Sequence, residues 1–179
     1  GFSDNRFMFN RGHWKKFEMT KDGPQVGARK KGEPSYDLDG ADDQSFATDW
    51  LVDRTLEILE RDKKKPFCLM LALPDPHGPN TVRAPYDTMY DHLTFQQPVT
   101  MRKVLAALQN RPGWVTGSNA VKKLSQSTLS KYFGMVRCID DNVGKILRFL
   151  EENELTEDTI VVFTSVSYTH LTLPTILLV

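Results

Sequence analysis

His77 carries the clearest chemical signal in this chain. It closes the stretch Lys65-Pro66-Phe67-Cys68-Leu69-Met70-Leu71-Ala72-Leu73-Pro74-Asp75-Pro76-His77-Gly78-Pro79, in which a short apolar run stops abruptly at prolines. Histidine changes charge near neutral pH, so it can give a proton to a departing oxygen or take one from an attacking group. Pro76 and Pro79 each fix φ and bias the preceding residue toward extended geometry, which would hold the imidazole in place. Asn80 and Arg83 follow in the same loop, and His13 stands upstream in Asn10-Arg11-Gly12-His13-Trp14-Lys15-Lys16. Such side chains grip a tetrahedral anion or a sugar hydroxyl through charge-assisted hydrogen bonds. Each also has an ordinary alternative: a salt bridge or loop cap for Asn80 and Arg83, and a structured surface loop for the His13 cluster. His92 has no supporting motif and reads as surface.

No metal site is expected from these residues. Asp140-Asp141-Asn142 offers hard oxygen donors. Consecutive helical residues point about 100° apart, however, so three in a row do not converge on one ion, and a solvated helix face is the expectation. Cys68 and Cys138 fit no zinc spacing, and two cysteines without a framework do not define an oxidising compartment.

The elements that must position His77 follow from periodicity. Residues 1–42 are rich in Gly, Pro, Lys and Asp and read as an ordered loop region. A helix is expected from about Asp43, a candidate cap, to Arg61, with Ala47, Trp50, Leu51, Ile58 and Leu59 on one face. Lys63-Lys64-Lys65 turns the chain into a buried strand over Pro66–Leu73, with Cys68 inside it, and ligands of such sheets bind beyond the carboxyl ends of the strands. Residues 78–100 read as a loop folded over the strand ends, and a weaker helical segment spans about Val99–Gln109. The longest helix is expected over Ser125–Glu152, buried through Leu129, Tyr132, Phe133, Val136, Val143, Ile146, Leu147 and Leu150. A strand at Thr159–Thr164 would complete a right-handed parallel crossover.

Three separated motifs, in order, resemble the sulfatase family of the alkaline-phosphatase-like superfamily. Ala47-Thr48-Asp49-Trp50-Leu51-Val52-Asp53 is similar to its Thr-Asp-x-Leu-x-Asp helix, and Pro76-His77-Gly78-Pro79 to its Pro-His-x-Pro element. Tyr132-Phe133-Gly134-Met135-Val136 and Ile139–Gly144 lead to Asp158–Ser165 as that family's do. The resemblance implies an α/β fold, part of an alkaline-phosphatase-like sandwich with a mostly parallel central sheet flanked by helices. It implies sulfuric ester hydrolysis through a formylglycine, installed by a formylglycine-generating enzyme, and a bound calcium. His77 would contact the sulfate or protonate the departing oxygen. Export to the periplasm, the cell exterior or the lysosome is the family's common location. A phosphate or phosphonate ester hydrolase of the same superfamily, or a noncatalytic relative that binds sulfated glycans, are the alternatives. Neither cysteine stands in the Cys-x-Pro-x-Arg setting of the modified nucleophile.

The resemblance stops at Ser165, where the family's Asp-His-Gly is replaced by Val166-Ser167-Tyr168-Thr169-His170-Leu171-Thr172-Leu173-Pro174-Thr175. Back-translated, those residues resemble a transposon-end sequencing adapter. Residues 1–165 are therefore expected to be the central part of a catalytic domain, lacking its nucleophile and first metal carboxylates and inactive alone, and 166–179 a non-native tail. Gly1-Phe2 is similar to the Gly-Phe-Asp that follows the family's Gly-Lys-Trp-His-Leu-Gly element, so no signal peptide is expected in view.

Composition adds bounds. The chain has 179 residues, 40% of them hydrophobic, enough for one sizeable core. With 23 basic and 23 acidic residues it has no overall field to recruit nucleic acid or an anionic membrane, and the terminal apolar run is well short of the roughly 20 residues of a membrane span.

Overall fold

A computed structural model describes residues 1–5, 15–21, 23–26, 29–30, 33–34, 38–96, 99, 125–165 and 176–177. His13, most of the segment expected to be helical near Val99–Gln109, and residues 166–175 lie outside these. Among the described residues the order is β1 (Phe17–Thr20), β2 (Gly23–Val26), β3 (Arg29–Lys30), β4 (Glu33–Pro34), α1 (Ala47–Asp62), α2 (Gln126–Glu152), β5 (Val161–Val162) and β6 (Ile176–Leu177). β1 pairs with β2, β3 with β4 and β5 with β6, all antiparallel.

α1 begins later than its apolar period alone suggests, and Asp43 does not cap it. Asp42 instead closes the turn before it: Oδ1 accepts from the backbone N–H of Ser45 at 2.9 Å and of Gln44 at 3.2 Å, and its carbonyl accepts from Phe46 N at 2.9 Å. The chain entering β1 is laced to this corner, since Phe17 N donates to Ser45 O at 2.7 Å and Ala47 N to Lys15 O at 3.0 Å. Phe17 packs against Trp50 with ring centroids 5.1 Å apart. α2 is capped by Ser125, whose Oγ accepts from Thr128 N at 3.0 Å.

The buried face of α2 is rotated from the expected one. Leu129, Ser130, Gly134, Met135, Cys138, Ile139, Asn142 and Leu150 are buried, while Phe133, Val136 and Leu147 are exposed. The reason is the partner. The face turned inward meets a tightly folded loop around Val82 and Tyr86, which small and polar residues accommodate and a phenylalanine would not. A Cβ placed on Gly134 would lie 2.2 Å from the Tyr86 carbonyl oxygen, so the helix approaches that backbone at a distance open to glycine alone. Phe46, Val82, Tyr86, Met135 and Cys138 form the core between α1, the loop and α2.

The parallel sheet is absent among the described residues. Residues 66–73 have no ladder partner there, and a strand without a neighbour forms no sheet. Burial nevertheless alternates along Phe67–Leu73, the two-residue period of extended chain, with Phe67, Leu69 and Leu71 half-buried. Cys68, expected inside, is exposed for this reason, and Met70 is 72% exposed. Thr159–Thr164 is a strand only at Val161–Val162, and Ile160 and Phe163 are likewise exposed. No described helix is long and apolar enough to cross a membrane.

Candidate active site

The apolar run ends in a tight turn, with His77 N donating to Pro74 O at 3.1 Å, and this lifts the His77 side chain to the surface. Its Nδ1 lies 2.8 Å from Gly78 O. A carbonyl only accepts, so the contact is a hydrogen bond when Nδ1 carries a proton.

Two buried carboxylates hold the loop that carries this ring. The first is Asp75. Its Oδ2 accepts from Thr48 Oγ1 at 2.6 Å, and its Oδ1 forms an ion pair with Lys15, both side chains being wholly buried. Lys15 Nζ also donates to His77 O at 3.1 Å and lies 3.3 Å from Met135 Sδ. The second is Asp49, also wholly buried, on the first turn of α1. It accepts from Arg83 Nε at 2.7 Å and Nη2 at 2.8 Å and from Asn142 Nδ2 at 2.9 Å, with Lys145 Nζ at 3.6 Å. Burial pushes the Asp49 carboxyl up, but the Arg83 and Asn142 hydrogen bonds and the charges of Arg83 and Lys145 outweigh it. The group is held below the usual carboxylate range. Cys138 Sγ lies 3.7 Å from Asp49, and burial first, then the Asp49 charge, pushes its thiol well up and makes it inert.

Consecutive residues of one helix, Thr48 and Asp49, thus grip the two ends of the segment 75–83. His77 projects between them. Asn80, a sequence candidate, lies within that segment and donates out of it to Thr128 O of α2 at 3.3 Å. Arg83 spends three N–H groups on Asp49 and on Ala84 O at 2.8 Å, and its side chain is 12% exposed. Lys15, expected near the site as an open cationic donor, is a buried brace, while Lys16 Nζ donates to Asp39 O at 2.8 Å. Asn142, expected on a solvated face, is fully buried on Asp49, whereas its neighbour Asp140 is exposed. Asp141 accepts from Tyr86 Oη at 2.9 Å and pairs with Arg137. His92 is exposed.

The sequence named Lys15 and Asn142 in other roles and gave Asp75 none; their buried pairings were not foreseen. Position 142 falls three and four residues beyond Ile139 and Cys138, so its helical register was the available signal. Lys15 and Asp75 meet across 60 residues, and no local pattern announces such a pair.

No three His, Cys, Asp or Glu side chains among the described residues converge as a metal ion requires, and Asp49 and Asp75 are each committed to cationic and hydrogen-bonding partners. These residues do not form the centre for the metal that the family generally uses.

A family model described as Sulfatase matches residues 5–165. The multifunctional alkaline phosphatase superfamily protein PehA of Trinickia caryophylli is 27% identical over 133 residues, 65% of this chain. The chain spans 26% of that relative's length. No solved structure matches it.

Proposed function

Since the chain belongs to the sulfatase family, we propose that it is the central part of the catalytic domain of a sulfuric ester hydrolase, with His77 at the departing oxygen. One observation supports this above the others: an exposed histidine, its Nδ1 2.8 Å from Gly78 O, stands on a turn pinned at both ends by buried carboxylates. Fixed orientation is what a general acid needs, because proton transfer requires hydrogen-bond distance to the reacting oxygen. In the cationic form, Nε2–H would pass its proton to the ester oxygen as the oxygen–sulfur bond breaks, and the alcohol would leave neutral. His13, Asn80 and the N–H groups of Arg83 not spent on Asp49 and Ala84 are proposed to hold sulfate or sugar oxygens. Calcium and a formylglycine nucleophile complete the proposal, at residues other than those described. Residues 1–165 are the proposed catalytic portion and 166–179 a non-native tail. Sulfated carbohydrates and aryl or alkyl sulfates are the proposed substrates. In the proposed fold, segments 66–73 and 159–164 are strands of the central sheet of the sandwich.

The test is turnover of p-nitrophenyl sulfate by the full-length protein. His77→Ala is expected to lower kcat by about 100-fold with folding intact; unchanged turnover would end the assignment. A phosphate or phosphonate ester hydrolase is the second reading, favoured by the multifunctional description of PehA. Parallel assays with p-nitrophenyl phosphate and a phosphonate monoester decide between them.

A further inference from the structure

We propose that Asp75 is a positioning residue for His77, acting with Lys15 and Thr48, and that its buried ion pair serves to place the ring. This rests on the reading of His77 given above. The Asp75 side chain is wholly buried two positions before the ring, so it touches no substrate. One oxygen takes the Thr48 hydroxyl and the other the Lys15 ammonium. Lys15 Nζ also bonds the carbonyl of His77 itself, so one cation ties the carboxylate to the peptide unit that carries the imidazole. The backbone bond from His77 N to Pro74 O closes the turn from the other side.

A buried ion pair is a poor device for stability alone, because well-packed apolar residues of similar volume are often as stable or more so. It is a good device for orientation, since a charge pair with directional hydrogen bonds selects one arrangement where apolar packing tolerates several. Lys15 is itself fixed: its carbonyl accepts from Ala47 N at the start of α1, and its head group lies against Met135 of α2. The ring orientation is thereby referred to both helices at once. An error of about 1 Å in the placement of such a group can cost on the order of 100-fold in rate, which is the scale at stake.

The experiment is a double-mutant cycle in the full-length protein with p-nitrophenyl sulfate as probe, with circular dichroism to verify folding. Asp75→Asn keeps the shape and removes the charge, and is expected to lower kcat by about tenfold or more while KM stays within about threefold. In a His77→Ala background the same change is expected to have almost no further effect, because there is no ring left to place. Thr48→Val removes one hydrogen bond only and serves should Asp75→Asn fail to fold; a smaller loss of kcat, again absent in the His77→Ala background, is expected. Additive losses in both backgrounds would mean a purely structural role and overturn the proposal. Unchanged kcat in Asp75→Asn and Thr48→Val, beside a large loss in His77→Ala, would overturn it while leaving the role of His77 standing. Unchanged kcat in His77→Ala would overturn both.

Discussion

Arg83 meets Asp49 side-on, with Nε 2.7 Å from one carboxylate oxygen and Nη2 2.8 Å from the other. The two planar groups match prong to prong, a geometry that a lysine cannot reproduce. Because Asp49 is on α1 and Arg83 beyond His77, this contact sets where the far end of the loop lies.

Breaking the pair strands a buried charge. Arg83→Met should therefore destabilise the full-length protein by on the order of 3 kcal/mol, and Arg83→Lys by less, since the charge survives and the fork does not. Urea unfolding midpoints check this; equal midpoints for all three proteins would show that Asn142 and Lys145 suffice to hold Asp49.

The same pair predicts a pH slope. The folded Asp49 carboxyl lies below its ordinary value of 3.8, so its stabilising contribution is fully present above that pH and is lost as pH falls through the depressed folded value. In Arg83→Met the Asp49 burial remains while its main counterweight is gone. The folded carboxyl should then titrate above its unfolded value, and stability should decline as pH rises through that higher value. Above pH 3.8 Asp49 should add no slope in the parent protein, whereas the thermal midpoints of Arg83→Met should fall relative to the parent as pH rises. Parallel slopes would refute the account.

Gly134→Ala sets two effects against each other. Alanine favours a helix interior over glycine by about 1 kcal/mol. The new methyl, however, would sit 2.2 Å from a backbone oxygen of Tyr86, and backbone yields little. Overpacking costs about 1–3 kcal/mol, so a net loss of stability is expected, together with a displaced 80–90 loop. A stabilised variant would show that the loop moves freely away from α2.

Thiol labelling tests the proposed sheet. Cys68 is exposed in this chain and Cys138 is buried. A soluble disulfide reagent should modify Cys68 in the 179-residue chain and spare Cys138. In the full-length protein Cys68 should also be protected if further strands cover Phe67–Leu73. Rapid labelling of Cys68 there would argue against a sheet across this segment.

Long-range pairing explains what the sequence hid. Both helices were legible from their apolar spacing, although α1 starts at Ala47 and not at Asp43. The face of α2 was not: two apolar faces compete on that helix, and the one that turns inward is chosen by Gly134 and Asn142, which hydropathy ranks low. His77 was legible through its prolines, whereas its supports were not, because Asp49 meets Arg83 and Asn142 across 34 and 93 positions. The strand segments kept their alternation but not their partners, since a ladder is a property of two segments.

The shared grip of Thr48 and Asp49 also bears on how this loop could be recombined. Residues 75–83 are not an independent cassette. A graft of that segment onto a related scaffold would bring the ring but leave its footing behind, unless Lys15, Thr48, Asp49 and Asn142 travelled with it. Swaps designed by loop boundaries alone should fail, and swaps designed by contact set should succeed.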